Sequence, residues 1–169
     1  LAENKKITSE KDPGYILFRE KLQEILTHLA KLIVSDGEGA SKFIEYKVSK
    51  ARSGEIARKL VRAISDSTLV KTAMFGRDPN WGRIIAACGN AGINFNYKKV
   101  NLFVGDKDKL VQVLEKGQPV DFDKNYVKKL LRDSHLRVHL ELNTGHETGL
   151  GWGTDLTTDY VMFNSVYTT

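Results

Sequence analysis

The sequence predicts a mixed α/β fold, an α+β sandwich of one or two lobes, the two lobes falling at about residues 1–95 and 96–169. Apolar and polar residues alternate over 136–142, as they do in a half-buried strand. Between Phe18 and Ile33, apolar residues instead recur at the spacing of an amphipathic helix. Because both patterns reappear in turn along the chain, helices and strands are expected to pack in one layered structure.

The first half of the chain contains both kinds of element. Asp12 and Pro13 suit a helix start, because Asp accepts from free amides and Pro fits the first helical position. Ser53 can cap a second helix in the same way. The predicted elements are a helix from Pro13 to before Asp36, a strand over 42–49, a helix after Ser53, a short strand over 69–75 and a helix over 81–91.

The second half continues the same alternation. Its predicted elements are a strand over 100–104, a helix over 123–132, the strand over 136–142, a turn-forming segment over 143–153 and a final extended segment over 155–166. Glycines crowd the stretch from 145 to 153, and no strand–loop–helix unit of dinucleotide-binding type surrounds them. A hairpin turn therefore explains these glycines better than a phosphate-binding loop.

Composition narrows the class of protein. The chain has 169 residues, of which 41% are hydrophobic and 28% charged, and a formal charge of +5. It contains neither an apolar run of the roughly 20 residues that a membrane span needs nor a signal-like start, so a soluble intracellular protein is expected. The basic residues are dispersed among acids, which argues against nucleic-acid binding. Leu1 and the polar residues after it suggest a chain cut from something longer.

Residues 36–42 (Asp-Gly-Glu-Gly-Ala-Ser-Lys) form the first candidate site. Glycines on both sides of Glu38 remove side-chain bulk, so that this carboxylate could approach a ligand and hold a substrate ammonium. The same residues also suit a plain helix end with a solvated acid. Both interpretations remain open from spacing alone.

Residues 75–83, Cys88 and the four histidines are the other candidates for a site. Residues 75–83 place two arginines, an aspartate and Trp81 around a helix start, which suits either an anion site or a capped helix with a packed Trp. The lone cysteine, Cys88, lies in an apolar helical stretch, where a thiol is usually inert. The four histidines lack a carboxylate or cysteine cluster with ligand spacing, so no metal site is predicted.

Several segments, in order, resemble landmarks of the ornithine acetyltransferase family, also called bifunctional glutamate N-acetyltransferase. Residues 36–42 resemble the family's Asp-Gly-Glu-Gly-Ala-Thr-Lys, and 70–73 its Val-Lys-Thr-Ala. Residues 78–84 resemble Asp-Pro-Asn-Trp-Gly-Arg-Ile. Residues 152–161 resemble the closing Trp-Gly-Cys-Asp-Leu-Thr and Asp-Tyr-Val, and 164–169 the ending Asn-Ala-x-Tyr-x-Thr. Together they make the chain similar to the C-terminal part of that family's second, or beta, chain.

The resemblance implies an activity. Such proteins cleave themselves before a Thr, whose hydroxyl takes acetyl from N-acetylornithine and passes it to glutamate in arginine biosynthesis. No catalytic residue is expected in this chain, because the nucleophilic Thr should lie upstream, and the chain alone should be inactive. No cofactor is expected, although acetyl-CoA is an alternative acetyl donor. The implied partners are the family's first, or alpha, chain and the upstream segment, in a hetero-oligomer of the cytoplasm, or of the mitochondrial matrix in a eukaryote.

Carried over by position, the resemblance assigns substrate binding to Glu38, Asn164 and Thr169. Glu38 would pair with an ammonium group, while the amide and hydroxyl would orient a carboxylate. Ser41 and Thr154 depart from the family's Thr and Cys. Neither change removes a binding residue, but both bear on substrate preference. Two rivals remain: a related N-terminal-nucleophile aminopeptidase, and a non-catalytic fragment that binds amino acids or a partner chain.

Overall fold

The structure, a computed structural model, describes residues 7–166. Two compact units divide between Ile33 and Val34. The α-helices of the described residues are α1 (Pro13–Ser35), α2 (Gly54–Asp66), α3 (Thr68–Phe75), α4 (Trp81–Asn90), α5 (Lys124–Leu130) and α6 (Thr158–Val166), and a 3₁₀ turn covers Tyr97–Lys99. The strands are β1 (Phe43–Ala51), β2 (Asn101–Asp106), β3 (Leu110–Glu115), β4 (Gln118–Pro119), β5 (His135–Glu141) and β6 (Glu147–Thr154).

The strands form one mixed sheet in the order β4-β3-β2-β5-β1-β6. β1 and β5 are parallel, and the other neighbours in the sheet are antiparallel. This arrangement confirms the mixed α/β class. The division lies at residue 33, whereas the sequence suggested a lobe boundary near residue 95. β1 and β5 lie on opposite sides of residue 95 and pair with each other.

The core lies against one face of this sheet. In the central strands β1 and β5, buried residues align with each other and their neighbours in sequence fall on the other face. The aligned core pairs are Ile44 with Leu136, Tyr46 with Val138 and Val48 with Leu140. The opposite face carries polar pairs, Glu45 with Arg137 and Lys47 with His139. The predicted alternation in both strands is therefore confirmed, and His139 lies on the polar face.

Helix α2 covers β6 and β1 on the core face, and the glycines of β6 explain how closely it packs. A Cβ at Gly149 would lie 2.8 Å from the backbone carbonyl carbon of Ala57, and one at Gly151 would lie 2.6 Å from a methyl of Val61. Side chains at these positions would push the helix away from the sheet. The prediction of a hairpin turn across 145–153 is wrong over Glu147–Thr154, where the glycines instead form a strand that admits a helix at short range.

Two other predicted elements have the wrong type. Residues 69–75 form helix α3, capped by the Ser67 side chain, and not a strand. Residues 158–166 form helix α6, where a final extended segment was expected. In α3, a short apolar run fits a buried helix as well as a strand, so periodicity did not separate them. Strands β3 and β4 were not predicted at all.

The remaining helices confirm the expected ends. Helix α1 stops before Asp36, and the Ser53, Asn80 and Asp123 side chains cap α2, α4 and α5. Each cap accepts a hydrogen bond from an amide of the first turn, which otherwise has no partner in the helix. Within residues 7–166, no helix combines the length and apolar character needed to cross a bilayer.

Candidate functional site

The loop that carries Glu38 joins α1 to β1 and is packed at both glycines. Gly39 has a φ of +65°, which suits a residue without a Cβ. A Cβ there would lie 2.7 Å from the backbone nitrogen of Tyr160, and one at Gly37 would lie 2.9 Å from a methyl carbon of Thr154. The two glycines therefore let the loop touch the start of α6 and the end of β6, while the Glu38 side chain stays exposed.

Glu38 and Asn164 meet across this contact. The Asn164 amide nitrogen donates to the Glu38 carboxylate at 2.9 Å and to the Tyr160 carbonyl oxygen at 2.9 Å. These two predicted residues are separated by 126 positions in the chain, and the structure brings them together. Thr169, the third predicted binding residue, lies outside the described residues.

Two residues between β6 and α6 hold the Glu38 loop in place through hydrogen bonds. The buried Asp155 carboxylate accepts from the backbone amides of Ser41 and Lys42, both at 2.9 Å, and from the Ser41 hydroxyl. The hydroxyl of buried Thr157 donates to the Gly39 carbonyl and accepts from the Tyr160 amide at 3.1 Å. Neither residue was singled out as a site residue from the sequence. A Thr three positions before a helical amide is the pattern of an N-cap, and it could have indicated the start of α6.

A cavity of about 360 Å³ opens beside Glu38. The residues that line it include Glu38, Asp66 and Lys71. Lys71 donates to the Thr154 hydroxyl at 3.2 Å, and its carbonyl oxygen accepts from the Leu156 amide. Groups of both signs around a small cavity suit a ligand that itself carries both charges, as an amino acid does.

A model of the ArgJ family matches this chain over residues 1–169. The chain belongs to the ArgJ family. The arginine biosynthesis bifunctional protein ArgJ of Staphylococcus epidermidis is 43% identical over 155 residues, covering 92% of this chain and 38% of that protein. The ArgJ of Thermotoga neapolitana is 43% identical over 169 residues, covering 100% and 42%. The chain thus spans about two fifths of the length of these relatives.

A solved ArgJ structure is also similar. The crystal structure of the arginine biosynthesis bifunctional protein ArgJ from Bacillus halodurans has a TM-score of 0.87 and 36% identity. The similarity covers 98% of this chain and 76% of that one. The likeness to the ornithine acetyltransferase family, drawn from ordered motifs, is confirmed by the family match and by this shared fold.

Lys42, at the end of the Glu38 loop in this ArgJ-family chain, has a structural role. Its ammonium donates to the carbonyl oxygens of Arg132 and Asp133 at 2.8 and 2.7 Å. Burial lowers the pKa of Lys42, and the Asp155 carboxylate opposes that effect. The side chain therefore holds the loop to the turn before β5.

Residues 78–83 are explained by the capped-helix interpretation. Asn80 caps α4 by accepting from the Arg83 amide at 3.1 Å and donates to Asp78 at 2.9 Å. The Arg83 guanidinium donates to the Leu69 carbonyl at 3.0 Å and to the Thr72 hydroxyl, tying α4 to α3. Trp81 packs against the core. The residues that line the Glu38 cavity do not include any of this segment.

Cys88 and the histidines form no reactive cluster in the described part of the chain. Burial raises the pKa of Cys88 to about 12, so the thiol stays protonated at neutral pH. His139 pairs with the Ser49 hydroxyl at 2.8 Å. Among residues 7–166, no group of three or more His, Cys, Asp or Glu side chains is arranged to hold a metal ion.

Proposed function

We propose that the protein carrying this chain is an ornithine acetyltransferase, which moves acetyl from N-acetylornithine to glutamate through an acetyl-threonine intermediate. In this proposal the chain supplies substrate-binding residues, and the nucleophilic Thr lies upstream of residue 1. The observation that carries it is the contact between Glu38 and Asn164 beside a small cavity of mixed charge, in an ArgJ-family chain.

In the proposed site, Asn164 meets the substrate through its side-chain oxygen. An amide nitrogen carries two hydrogens, and those of Asn164 are directed to Glu38 and to the Tyr160 carbonyl. Its oxygen remains as the group that can meet a ligand, and an oxygen accepts hydrogen bonds. Asn164 therefore suits the substrate ammonium together with Glu38, whereas the sequence had suggested that its amide orients a carboxylate.

The proposed reaction has two acyl transfers. The Thr hydroxyl attacks the acetyl carbonyl of N-acetylornithine, the amide C–N bond breaks, and the ornithine amine leaves with the proton. The glutamate amine then attacks the resulting ester, which forms N-acetylglutamate and restores the Thr hydroxyl. An oxyanion hole on the first chain would stabilise each tetrahedral intermediate. This chain contributes by holding the substrate ammonium, so that the acetyl group faces the nucleophile.

The proposed setting follows the family. The partners are the alpha chain and the upstream segment in a hetero-oligomer, with N-acetylornithine and glutamate as small-molecule substrates. No cofactor is needed, and acetyl-CoA can serve as an alternative acetyl donor. The proposed location is the cytoplasm, or the mitochondrial matrix in a eukaryote.

The function is tested on the full-length protein by intact mass before and after exposure to N-acetylornithine. A polypeptide that begins with Thr should gain one acetyl group and lose it on addition of glutamate. Hydrolysis of a peptide amide without transfer to glutamate would point to the aminopeptidase. Amino-acid binding without an acetyl-enzyme would point to a non-catalytic protein.

Glu38→Gln tests the binding role of this chain. The change keeps the shape and removes the charge, so the KM for N-acetylornithine should rise by roughly tenfold or more as a charge-assisted hydrogen bond is lost. The melting temperature should stay near that of the wild type, because the Glu38 side chain is exposed. Glu55→Gln, at an exposed carboxylate paired with Lys59 on α2, is the matched control and should leave KM unchanged. An unchanged KM in Glu38→Gln would remove Glu38 from the site.

A further inference from the structure

A closed ring of hydrogen bonds surrounds the contact between Glu38 and Asn164. The Thr157 hydroxyl donates to the Gly39 carbonyl and accepts from the Tyr160 amide. The Tyr160 carbonyl in turn accepts from the Asn164 amide, which also donates to Glu38. Since Glu38 and Gly39 are neighbours in the chain, the ring closes on itself.

We infer that Thr157 is a positioning residue for substrate binding, whose hydroxyl sets the distance between the Glu38 loop and helix α6. This inference rests on the proposed function and adds a residue that positions the side chains of its binding site. Thr157 reaches no cavity wall beside Glu38, so it acts through Glu38 and Asn164 and not through the substrate.

The hydroxyl is suited to this role by its chemistry. A Thr side chain donates one hydrogen bond and accepts others, so a single atom can join the loop carbonyl to the helix amide. Thr157 is only 5% exposed. Water therefore has little access to replace the hydroxyl, and its removal leaves the Gly39 carbonyl and the Tyr160 amide without this partner.

Helix α6 holds Tyr160 and Asn164 in a fixed relation, so that a shift of Tyr160 also moves Asn164. The two residues are four positions apart, which places them on the same side of the helix, and they are joined by a side-chain hydrogen bond of 2.9 Å. On the other side of the ring, Asp155 holds the amides of Ser41 and Lys42. Asp155 therefore holds the C-terminal end of the Glu38 loop, and Thr157 holds the loop at the Gly39 carbonyl.

The experiment compares Thr157→Val, which keeps the shape and removes the hydroxyl, with Thr157→Ser, which keeps the hydroxyl. Both are made in the full-length protein, and acetyl transfer from N-acetylornithine to glutamate is measured. Thr157→Val should raise KM by roughly tenfold with kcat changed by less than about threefold, because binding is lost while the chemical groups remain. Thr157→Ser keeps the hydroxyl, so its KM should stay within about twofold of that of the wild type.

A double-mutant cycle separates positioning from general destabilisation. If Thr157 acts through Glu38 and Asn164, Thr157→Val should raise KM by a smaller factor once Glu38 is Gln, because only the contribution of Asn164 is then left to lose. Thr144→Val removes another hydroxyl that donates to a backbone carbonyl, that of Lys50 at 3.3 Å, and should leave KM unchanged. Should Thr157→Val not fold, Thr157→Ala takes its place in the cycle.

The outcomes distinguish the inference from the function on which it rests. A wild-type protein that transfers no acetyl group overturns the proposed function and this inference with it. Transfer by the wild type, with an unchanged KM in Thr157→Val or equal effects of that change with and without Glu38, overturns only the role of Thr157.

Discussion

Single glycines control how closely the Glu38 loop approaches its neighbours. Gly39 lies at positive φ with the backbone of Tyr160 directly beside its missing Cβ. Gly89, inside α4, has open space where a Cβ would be added. The same residue type therefore has opposite roles at these two positions, and only the surroundings distinguish them.

Alanine substitution at the two glycines should separate those roles. Gly39→Ala is expected to lower the free energy of unfolding by about 1–3 kcal/mol, because it adds backbone strain and a clash with α6. Gly89→Ala should leave stability unchanged or raise it by up to about 1 kcal/mol, since Ala favours a helix over Gly. Urea unfolding of both variants provides the measurement, and equal effects at the two sites would contradict the close contact at Gly39.

Helix ends show how short-range chemistry sets the bounds of an element. The Asp123 carboxylate accepts from the amides of Asn125 and Tyr126 at 2.9 and 3.0 Å, which fixes the start of α5. Asp121, two residues earlier, is exposed and lies outside the helix. The Asp123 carboxylate is thus the one placed to cap α5.

Asp123→Ala should therefore cost about 1 kcal/mol of unfolding free energy through loss of the cap. Asp121→Ala, a nearby change of the same charge, should stay within about 0.5 kcal/mol of the wild type. Chemical denaturation followed by circular dichroism measures both. A loss of stability in Asp121→Ala as large as that in Asp123→Ala would show that net charge, and not capping, is responsible.

At the scale of the whole molecule, the polar face of the sheet links folding to pH. His139 lies there beside Lys47, Lys50 and Glu141, with its ring against Phe103. Burial is the first cause that lowers the pKa of His139; the two lysines lower it further, and Glu141 opposes them. The unfolded chain therefore takes up a proton at His139 at a higher pH than the folded chain does.

The difference in proton binding at His139 between the folded and unfolded states sets how stability changes with pH. As the pH falls through about 6.5, the ordinary pKa of His, the unfolded state is favoured by protonation and the folded state loses stability. Melting temperatures of the wild type and His139→Gln between pH 8 and pH 5 test this. His139→Gln should show the shallower decline toward pH 5, and a steeper decline in the variant would contradict the direction of the pKa shift.

Local patterns in the sequence predicted much of the fold. Helical spacing and capping residues predict the helices at Pro13–Ser35 and Gly54–Asp66, and a run of small and apolar residues predicts the helix at Trp81–Asn90. Alternation of apolar and polar residues predicts strands β1 and β5. These signals work because they act over a few neighbouring residues. Glu38 and Asn164 were identified by resemblance to a family, and the structure places them in contact.

Contacts between distant segments account for what the sequence did not reveal. β6 is a strand because it pairs with β1, and its glycines let α2 pack closely against it. Helix α6 begins where the Thr157 hydroxyl accepts from the Tyr160 amide. The bonds from Asp155 and Thr157 to the Glu38 loop span more than 100 positions. No local pattern encodes such bonds, since a hydroxyl or carboxylate acquires its partner only when folding brings the two segments together.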